Sequence, residues 1–416
     1  MANPDVLIVG GGLAGLCCAL RLQESGRSFL LLEGSDRVGG RVRSDLFEGF
    51  RLDHGFQVLL TAYPEVRRVL DLGSLRLSSF RPATIVRTER GFARLTDPFR
   101  SPLSLLGALR SPVGTLADKL RLARLRRRLL SMPLDEIWRS PQTTAADALK
   151  GLRFSPAIID HLFRPLLGMA FLEPALETSS RALEFLVKML TSGTAALPFE
   201  GMGSIPDQIA ARLPDSSIRT QAPVAGLVDG GVELDSGERI DSPAVVIATE
   251  GPEASRLLGE DPTRQWNAVR CLYFSADKPP IEDPLVVLNG TGRGPINSLC
   301  VPSQIAPSYS PAGKSLISVS VLGAGQSGDR NLLAQVREQL GQWFGDAAAE
   351  WAHLRTYTIT NALPSQSVAD LEPVIRSTRL RGGLYVCGDH RDSVSIQGAM
   401  DSGRRAAESL LRDFPA

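Results

Sequence analysis

The chain has 416 residues, 43% of them hydrophobic and 22% charged, and its formal net charge is +1. That length leaves room for two to three domains and a large core. The near balance of charge gives no global pull toward nucleic acid or an acidic substrate, so no nucleic-acid partner is expected.

Asp5 to Val9 reads as a short buried strand, and the chain then turns and enters a helix near Ala14. In Gly10-Gly11-Gly12-Leu13-Ala14-Gly15, Gly10 permits the tight turn and Gly12 lets the backbone approach a pyrophosphate. Gly15 lets the helix pack closely on the strand. The helix N-terminus offers that pyrophosphate free N–H groups and a partial positive charge. A second strand, Phe29 to Leu32, ends at Glu33, roughly twenty residues on, where a carboxylate accepts from ribose hydroxyls. Asp36-Arg37-Val38-Gly39-Gly40-Arg41 adds a second glycine pair with an arginine, which points to FAD rather than NAD. The run Val6 to Leu22 is apolar or glycine except at Arg21. Its glycines, Arg21 and the lack of a basic flank argue against a membrane span or a signal peptide.

Leu52 to Leu60 reads as a loop into an apolar segment. From about Ser74 to Leu95, short alternating runs such as Ala83 to Arg87 predict strands of a second domain. Residues 101–190 are helical in pattern, punctuated by Pro102, Pro112, Pro133 and Pro141. Within them, residues 119–130 set leucines on one side and six cations on the rest. Two readings stand: a helix lying peripherally on an anionic membrane surface, or a solvated face over a core-packing stripe.

Residues 196–215 turn back toward the nucleotide domain through Gly201 to Pro206 and a helix from Asp207 to Arg212. Val224 to Leu234 reads as a hairpin-like pair of strands, and Ala244 to Thr249 as another buried strand. Residues 265–365 alternate strands with loops and one helix, Asn331 to Phe344. Gly383 to Asp389 is a last buried strand, and a helix from about Gln397 to Arg412 follows it. These pieces predict an α/β fold. A discontinuous Rossmann-like FAD-binding domain takes residues 1–73, 196–260 and 366–416. An inserted α+β substrate domain, with a mixed sheet and a helical block, takes residues 74–195 and 261–365.

Gly388-Asp389 and Ser395-Ile396-Gln397-Gly398-Ala399 form a strand, loop and helix. Asp389 is placed to accept from a ribityl or ribose hydroxyl, or to sit near the pyrophosphate. The helix beginning at Gln397-Gly398 would point its N–H groups at a flavin edge where negative charge develops on reduction. Gly398 and Ala399 would leave space for the ring.

These residues resemble the flavin-containing amine oxidase superfamily, which includes protoporphyrinogen oxidase and the carotenoid and squalene-pathway desaturases. The resemblance is close over Gly10 to Gly15, Glu33, Arg37 to Arg41, Asp53 to Gly55, and Gly383 to Ala407. It is looser through Gly201 to Pro206, Val224, and Val245 to Thr249. It implies a cofactor-binding set of Gly10, Gly11, Gly12, Leu13, Ala14 and Gly15 at the turn and Glu33 on the adenosine ribose. Arg41 would sit by the phosphates, and Val224 would set its backbone against adenine. Gly39, Gly40 and Gly55 would line the flavin, with Phe56 and Gln57 beside them. Gly388, Asp389, Ile396, Gln397, Gly398 and Ala399 complete the set.

Amine oxidases of this group place a lysine on a substrate-domain strand and an aromatic just before the C-terminal helix. Here Val269 to Phe274 carries no lysine, and the second place holds Ser393, Val394, Ser395 and Ile396. By contrast, Asp53 to Leu60, and His161 to Pro174, look like the squalene-associated and phytoene desaturase-like enzymes. The expectation is an FAD-dependent oxidoreductase that removes a hydride equivalent from a C–H bond of an apolar, isoprenoid- or polyene-like small molecule. Two other readings are an oxidase of amines or of a porphyrinogen-type ring, and an FAD-binding module without turnover. The electron acceptor is open between oxygen and a quinone.

Phe154, Ile158, Leu162, Leu167 and Met169 are candidates to line an apolar channel, or are ordinary core. The catalytic set is open. His54, beside Gly55, is the first candidate for an acid or base, and His390 is expected to face the phosphates or solvent. Cys17, Cys18, Cys271, Cys300 and Cys387 are odd in number and form no C-x-x-C pair. They fit reduced thiols of a cytoplasmic protein, not a disulfide framework or a zinc site. His54, His161, His353 and His390 are too scattered for a histidine-based metal site, and no metal is expected.

Overall fold

A computed structural model describes residues 3–97, 99–100, 111–261, 264–323 and 329–415. The first strand, Val6–Val9, is buried along its whole length, as a parallel strand covered on both faces must be. It pairs in parallel with Phe29–Leu32 on one side and Ala244–Ile247 on the other. Ile218–Arg219 and Leu384–Val386 extend the sheet in parallel, and Arg379–Arg381 closes it as an antiparallel edge. One sheet thus gathers strands from three distant stretches, in a Rossmann-like α/β arrangement.

Successive side chains on the first strand serve opposite faces. Val6 and Ile8 join a core with Leu16, Ala19, Ala406 and Leu410. Leu7 and Val9 join another with Val224, Val232, Ala254 and Leu257. On the first face the C-terminal helix, Ile396–Asp413, rests on the first helix, Leu13–Glu24. A Cβ on Gly403 would come within 2.0 Å of the Ala14 carbonyl oxygen, so the two backbones meet directly.

A seven-stranded mixed sheet has the order Ala352–Pro364, Trp266–Ala276, Ser315–Leu322, Ile296–Cys300, Val286–Asn289, Ala83–Thr88 and Gly91–Thr96. All its pairs are antiparallel except Val286–Asn289 with Ala83–Thr88. The helix Asp329–Phe344 packs Leu332, Val336 and Leu340 on one face, against Phe274, Ile317 and Val319.

The described helical block contains Leu116–Ser131, Leu134–Arg139, Ala145–Gly151, a run from Pro156 to Phe171 with a π-helical middle, and Ser180–Ser192. The helix expected over residues 101–110, Pro102 included, lies outside the described residues. The helix expected over Asp207 to Arg212 runs instead over Ser204–Ala210. The stretch expected as a loop from Leu52 begins inside a hairpin, Ser44–Phe47 with Phe50–Asp53. Its turn uses positive φ at Glu48 and Gly49, a two-residue turn matched to strand twist. Glu-Gly is a weak turn signal, which is why the hairpin escaped sequence reading.

In the basic helix Leu116–Ser131, Leu125 and Leu129 are buried while Leu116, Leu120 and Leu130 are exposed. Its N-terminus is closed by a Thr115–Asp118 capping box. Arg121, Arg126 and Arg128 pair with Asp118, Asp97 and Glu184, and Arg124 and Arg127 are exposed. The leucine stripe is therefore divided, with Leu125 and Leu129 packed into the core and Leu116, Leu120 and Leu130 left at the surface. No helix among the described residues is long and apolar enough to cross a membrane.

Candidate active site

A cavity of about 1440 Å³ is lined by both large sheets and by the helical block. At one end stand Gly10, Gly12, Leu13, Ala14, Glu33, Gly39, Gly40, Arg41 and Val224. Gly10 has φ +110°, and a Cβ there would lie 2.8 Å from the Ala248 carbonyl oxygen. Gly12 has no atom within 4 Å of where a Cβ would stand, so its open side gives onto free space. Gly15 does not line the cavity. A Cβ on it would meet the Gly10 carbonyl oxygen at 2.0 Å, which sets how close the helix comes to the turn.

Gly11 also stands behind the wall. Its N–H donates to Glu33 Oε2 at 2.7 Å, and Ser35 N–H donates to Glu33 Oε1 at 2.9 Å. The carboxylate is thereby locked at the strand end, with lone pairs left for hydroxyl donors.

Arg41 donates to Asp389 Oδ1 at 2.7 Å and to the Ala362 carbonyl at 2.8 Å. Burial pushes the Asp389 carboxyl up, but the Arg41 guanidinium, with His390 and Arg264 behind it, holds it below the usual carboxylate range. Gly388, beside it, has φ +144°, and a Cβ there would strike His390. The His390 imidazole lies behind this turn and lines a separate cleft, so it faces neither the cavity nor any phosphate held there.

The loop from Asp53 carries His54, Gly55, Phe56 and Gln57, and these four line the cavity. Gln57 donates to the Arg41 and His54 carbonyls, tying the loop to the Arg41 turn. Asp53 anchors the loop from beneath. It accepts from Ser44, from Met202 N–H at 3.0 Å and from the Tyr309 hydroxyl at 2.9 Å. Burial pushes its carboxyl up to about 6 against those bonds. His54 Nε2 lies 3.0 Å from Asp45 Oδ2, which also accepts from the Tyr357 hydroxyl at 2.8 Å. Burial opposes ionisation of Asp45, yet Tyr357, His54 and Arg37 together hold it at about 2.

At the other side the C-terminal helix presents Ile396 and Ala399 to the cavity, and the turn before it presents Ser393, Val394 and Ser395. Ser395 caps it by accepting from Gly398 N–H. Gly398 corrects the expectation that it leaves space for a ring. A Cβ there would fall 1.7 Å from the Ser393 carbonyl oxygen, so the missing side chain serves the cap turn. Gln397 likewise points elsewhere, accepting from Glu65 N–H at 2.8 Å.

Two buried polar atoms on cavity-lining residues have no protein partner, Thr249 Oγ1 and Gln366 Nε2. Buried polar groups are normally satisfied, so a wall with two orphans, an open Gly12 and a locked Glu33 fits a polar dinucleotide. FAD therefore fits the residues present. Thr249 was within reach of sequence reading, because ligands gather at the carboxyl ends of parallel strands. Gln366, Asp45 and Tyr357 carried no local signal.

Of the five channel candidates, Leu162 and Met169 line the cavity. Phe154, Ile158 and Leu167 do not, and are buried core, with Phe154 packed edge-on to Phe163. The cavity takes instead Leu166, Ala170, Phe171, Leu186 and Leu190 from the same block, with Val286 and Leu288 from the sheet.

The profile of flavin containing amine oxidoreductases matches residues 13–411. The chain is 22% identical over 474 aligned residues to coproporphyrinogen III oxidase of Mycobacterium tuberculosis, covering 100% of this chain and 99% of that protein. It is 26% identical over 455 residues to hydroxysqualene dehydroxylase of Rhodopseudomonas palustris, covering 98% and 99%. The structure of cyclohexylamine oxidase from Brevibacterium oxydans superposes with a TM-score of 0.73 at 17% identity, covering 100% of both chains.

Proposed function

We propose, for a chain that belongs to the flavin containing amine oxidoreductase family, the oxidation of a C–H bond in an apolar, isoprenoid- or polyene-like substrate. The protein is an FAD-dependent oxidoreductase. One observation carries the substrate reading. The cavity of about 1440 Å³ exceeds the roughly 300–1,000 Å³ of a cleft for one ligand. It leaves room for a substrate beside the cofactor, walled by Phe56, Leu162, Leu166, Met169, Leu186 and Leu288.

FAD, when bound, supplies the acceptor for a hydride equivalent. The chain's own residues place and shield it. Glu33 and Val224 would hold the adenosine end, Gly12 and Arg41 the pyrophosphate, and Gly55, Phe56, Ile396 and Ala399 the ring. The C-terminal helix N-terminus supplies a partial positive charge where electrons accumulate. The apolar walls exclude water and orient the C–H bond. His54, held by Asp45, is the side chain of the Gly55 loop that brings an imidazole to the cavity, and we assign it to hydrogen-bond a polar group of the substrate.

Val269, the cavity residue of the strand Trp266–Ala276, leaves no lysine there, and the turn before the C-terminal helix offers no aromatic. Both speak against amines. A porphyrinogen-type substrate is the second reading. Arg81, Arg100, Lys119 and Arg126 line the cavity and suit a carboxylate-bearing ring, although each already has a partner: Asp283, the Gly193 carbonyl, the Ser111 carbonyl and Asp97. An apolar substrate partitions into lipid, and the basic helix offers a peripheral contact. Leu116 and Leu120 are exposed beside Arg124 and Arg127, and Lys119, Leu122 and Arg126 of the same helix line the cavity.

The test is anaerobic mixing of the yellow holoprotein with isoprenoid, amine and porphyrinogen compounds. Bleaching of the flavin by an isoprenoid is expected. Bleaching by amines or porphyrinogens alone overturns the substrate class. Bleaching by none of them favours a binding module without turnover.

A further inference from the structure

Behind the Asp389 turn lies a second cleft, of about 440 Å³. It falls in the size range of small-ligand sites. Its wall carries Arg264, Arg376 and Arg391 with His390 and Trp266, and an apolar side of Ala254, Leu258 and Val386. Two carboxylates, Glu260 and Asp261, also line it, and both residues are exposed. The arginines are drawn further in: the Arg264 side chain is only 10% exposed.

Three nitrogens on this wall are buried without a partner: Arg264 Nη2, Arg391 Nε and His390 Nδ1. Arg264 donates to the Ser365 and His390 carbonyls, and Arg391 to the Ser377 carbonyl. Arg264 also faces a carboxylate, with Asp370 Oδ1 4.0 Å from its Nε. Both heads are thus held in place, each with one buried nitrogen left over. Burial lowers the proton affinity of Arg391, and Arg376 and Arg405 add to the shift while Glu260 opposes it. Burial keeps the His390 imidazole neutral, at about 4.

An unpaired buried guanidinium nitrogen forfeits its hydration, and like charges gathered in one wall repel. Both costs are relieved by an oxyanion that accepts from several N–H groups at once. The cleft holds more than one small ion, since a water takes roughly 30 Å³, and its apolar side asks for a carbon body. We propose that this cleft binds a small organic anion, a phosphate ester or a carboxylate, through Arg264 and Arg391. The bound anion would lie next to the cofactor clamp. Arg41 stacks over the Trp266 ring at 5.5 Å, and the Arg264 charge is felt at Asp389. Occupancy is therefore expected to shift the flavin spectrum.

The experiment titrates the holoprotein at constant ionic strength with glycerol phosphate and, separately, succinate, by calorimetry and flavin difference absorbance. Chloride serves as the control anion. Saturable binding near one per chain is expected for one or both probes, identifying the head group, and a loss of at least about tenfold in affinity in Arg264→Gln and Arg391→Gln. Arg391→Gln guards against a folding defect in Arg264→Gln, and a wild-type circular dichroism spectrum certifies the fold of each variant. Saturation by neither probe, equal binding by chloride, or full affinity in both variants overturns the site.

Discussion

Arg41 and Asp389 stand 348 residues apart in sequence and 2.7 Å apart in the fold. The pair brings one side chain from each end of the chain to the cavity wall, at the place proposed for the phosphates. The Asp389 side chain is 5% exposed and Arg41 30%, so removing the cation alone strands a buried carboxylate. Breaking such a pair from one side costs about 3–5 kcal/mol, less the share that water recovers at the exposed arginine. Arg41→Gln is expected to lower stability by roughly 2–3 kcal/mol and to strip FAD. The double variant Arg41→Gln/Asp389→Asn should regain stability and still bind FAD weakly. Thermal unfolding with flavin content per chain reads both, and an Arg41→Gln protein with wild-type melting and full flavin would sink the assignment.

Gly12 and Gly15 separate cofactor binding from folding. At Gly12 the backbone has φ −72° and ψ 179°, which any residue adopts, and the space beyond is empty. Gly12→Val should leave the apoprotein folded and abolish FAD binding. At Gly15 the nearest atom would be a backbone oxygen at 2.0 Å. Gly15→Ala should therefore cost about 1–3 kcal/mol or more through overpacking. Apoprotein melting curves discriminate; a folding defect in Gly12→Val equal to that of Gly15→Ala contradicts the division.

Local chemistry explains why the turn from Gly10 to Gly15 and the Glu33 strand end were legible in sequence. Each depends on backbone conformation a few residues long, and glycine spacing encodes it. The same holds for Gly388 and the start of the C-terminal helix. Gly398 shows the limit: the sequence places a glycine at the helix start, but the atom it makes room for, the Ser393 carbonyl, is set by the fold. The Asp45–His54–Tyr357 cluster joins a hairpin to a distant sheet strand, and no spacing announces it. Phe154 and Leu162 look alike in an apolar helix pattern, since a cavity wall and a core ask for the same side chains.

Asp53 makes stability depend on pH in an unusual sense. Its carboxyl rises from an ordinary 3.8 to about 6 because burial disfavours the charge. The folded state therefore gains most below 3.8, and that gain is lost as pH rises through about 6. The linkage is of order 3 kcal/mol. Asp53→Asn removes the titrating group while keeping most partners. The denaturant midpoint of the wild type should fall between pH 4 and pH 7 relative to that of the variant; parallel curves would refute the buried-charge account.

The basic helix makes a quantitative statement about lipid. Each basic residue near an anionic surface contributes about 1 kcal/mol. Arg124 and Arg127 are both exposed. Arg124→Glu/Arg127→Glu should thus weaken co-sedimentation with phosphatidylserine-containing vesicles at least ~tenfold, with flavin content unchanged. Wild-type protein that stays in the supernatant, or a variant that sediments equally, rejects the membrane contact.

Ala170 tests whether the apolar part of the cavity holds substrate. It lines the cavity from the helix Arg164–Phe171, between Met169 and Phe171 and away from the glycine turn. Ala170→Phe adds a ring where the residue is half-buried, so it fills free space rather than packed core. The residues proposed to hold FAD lie on other elements, so its content should not change. A substrate that occupies this space must be displaced or bent to reach the cofactor. A loss of about 1.4 kcal/mol in transition-state binding corresponds to roughly tenfold in kcat/KM. The rate of anaerobic flavin bleaching by an isoprenoid is expected to fall at least that far. Bleaching by a compound only a few atoms long should be spared, since it need not extend past Met169. Equal loss for long and short substrates would place the effect on the cofactor and not on the channel.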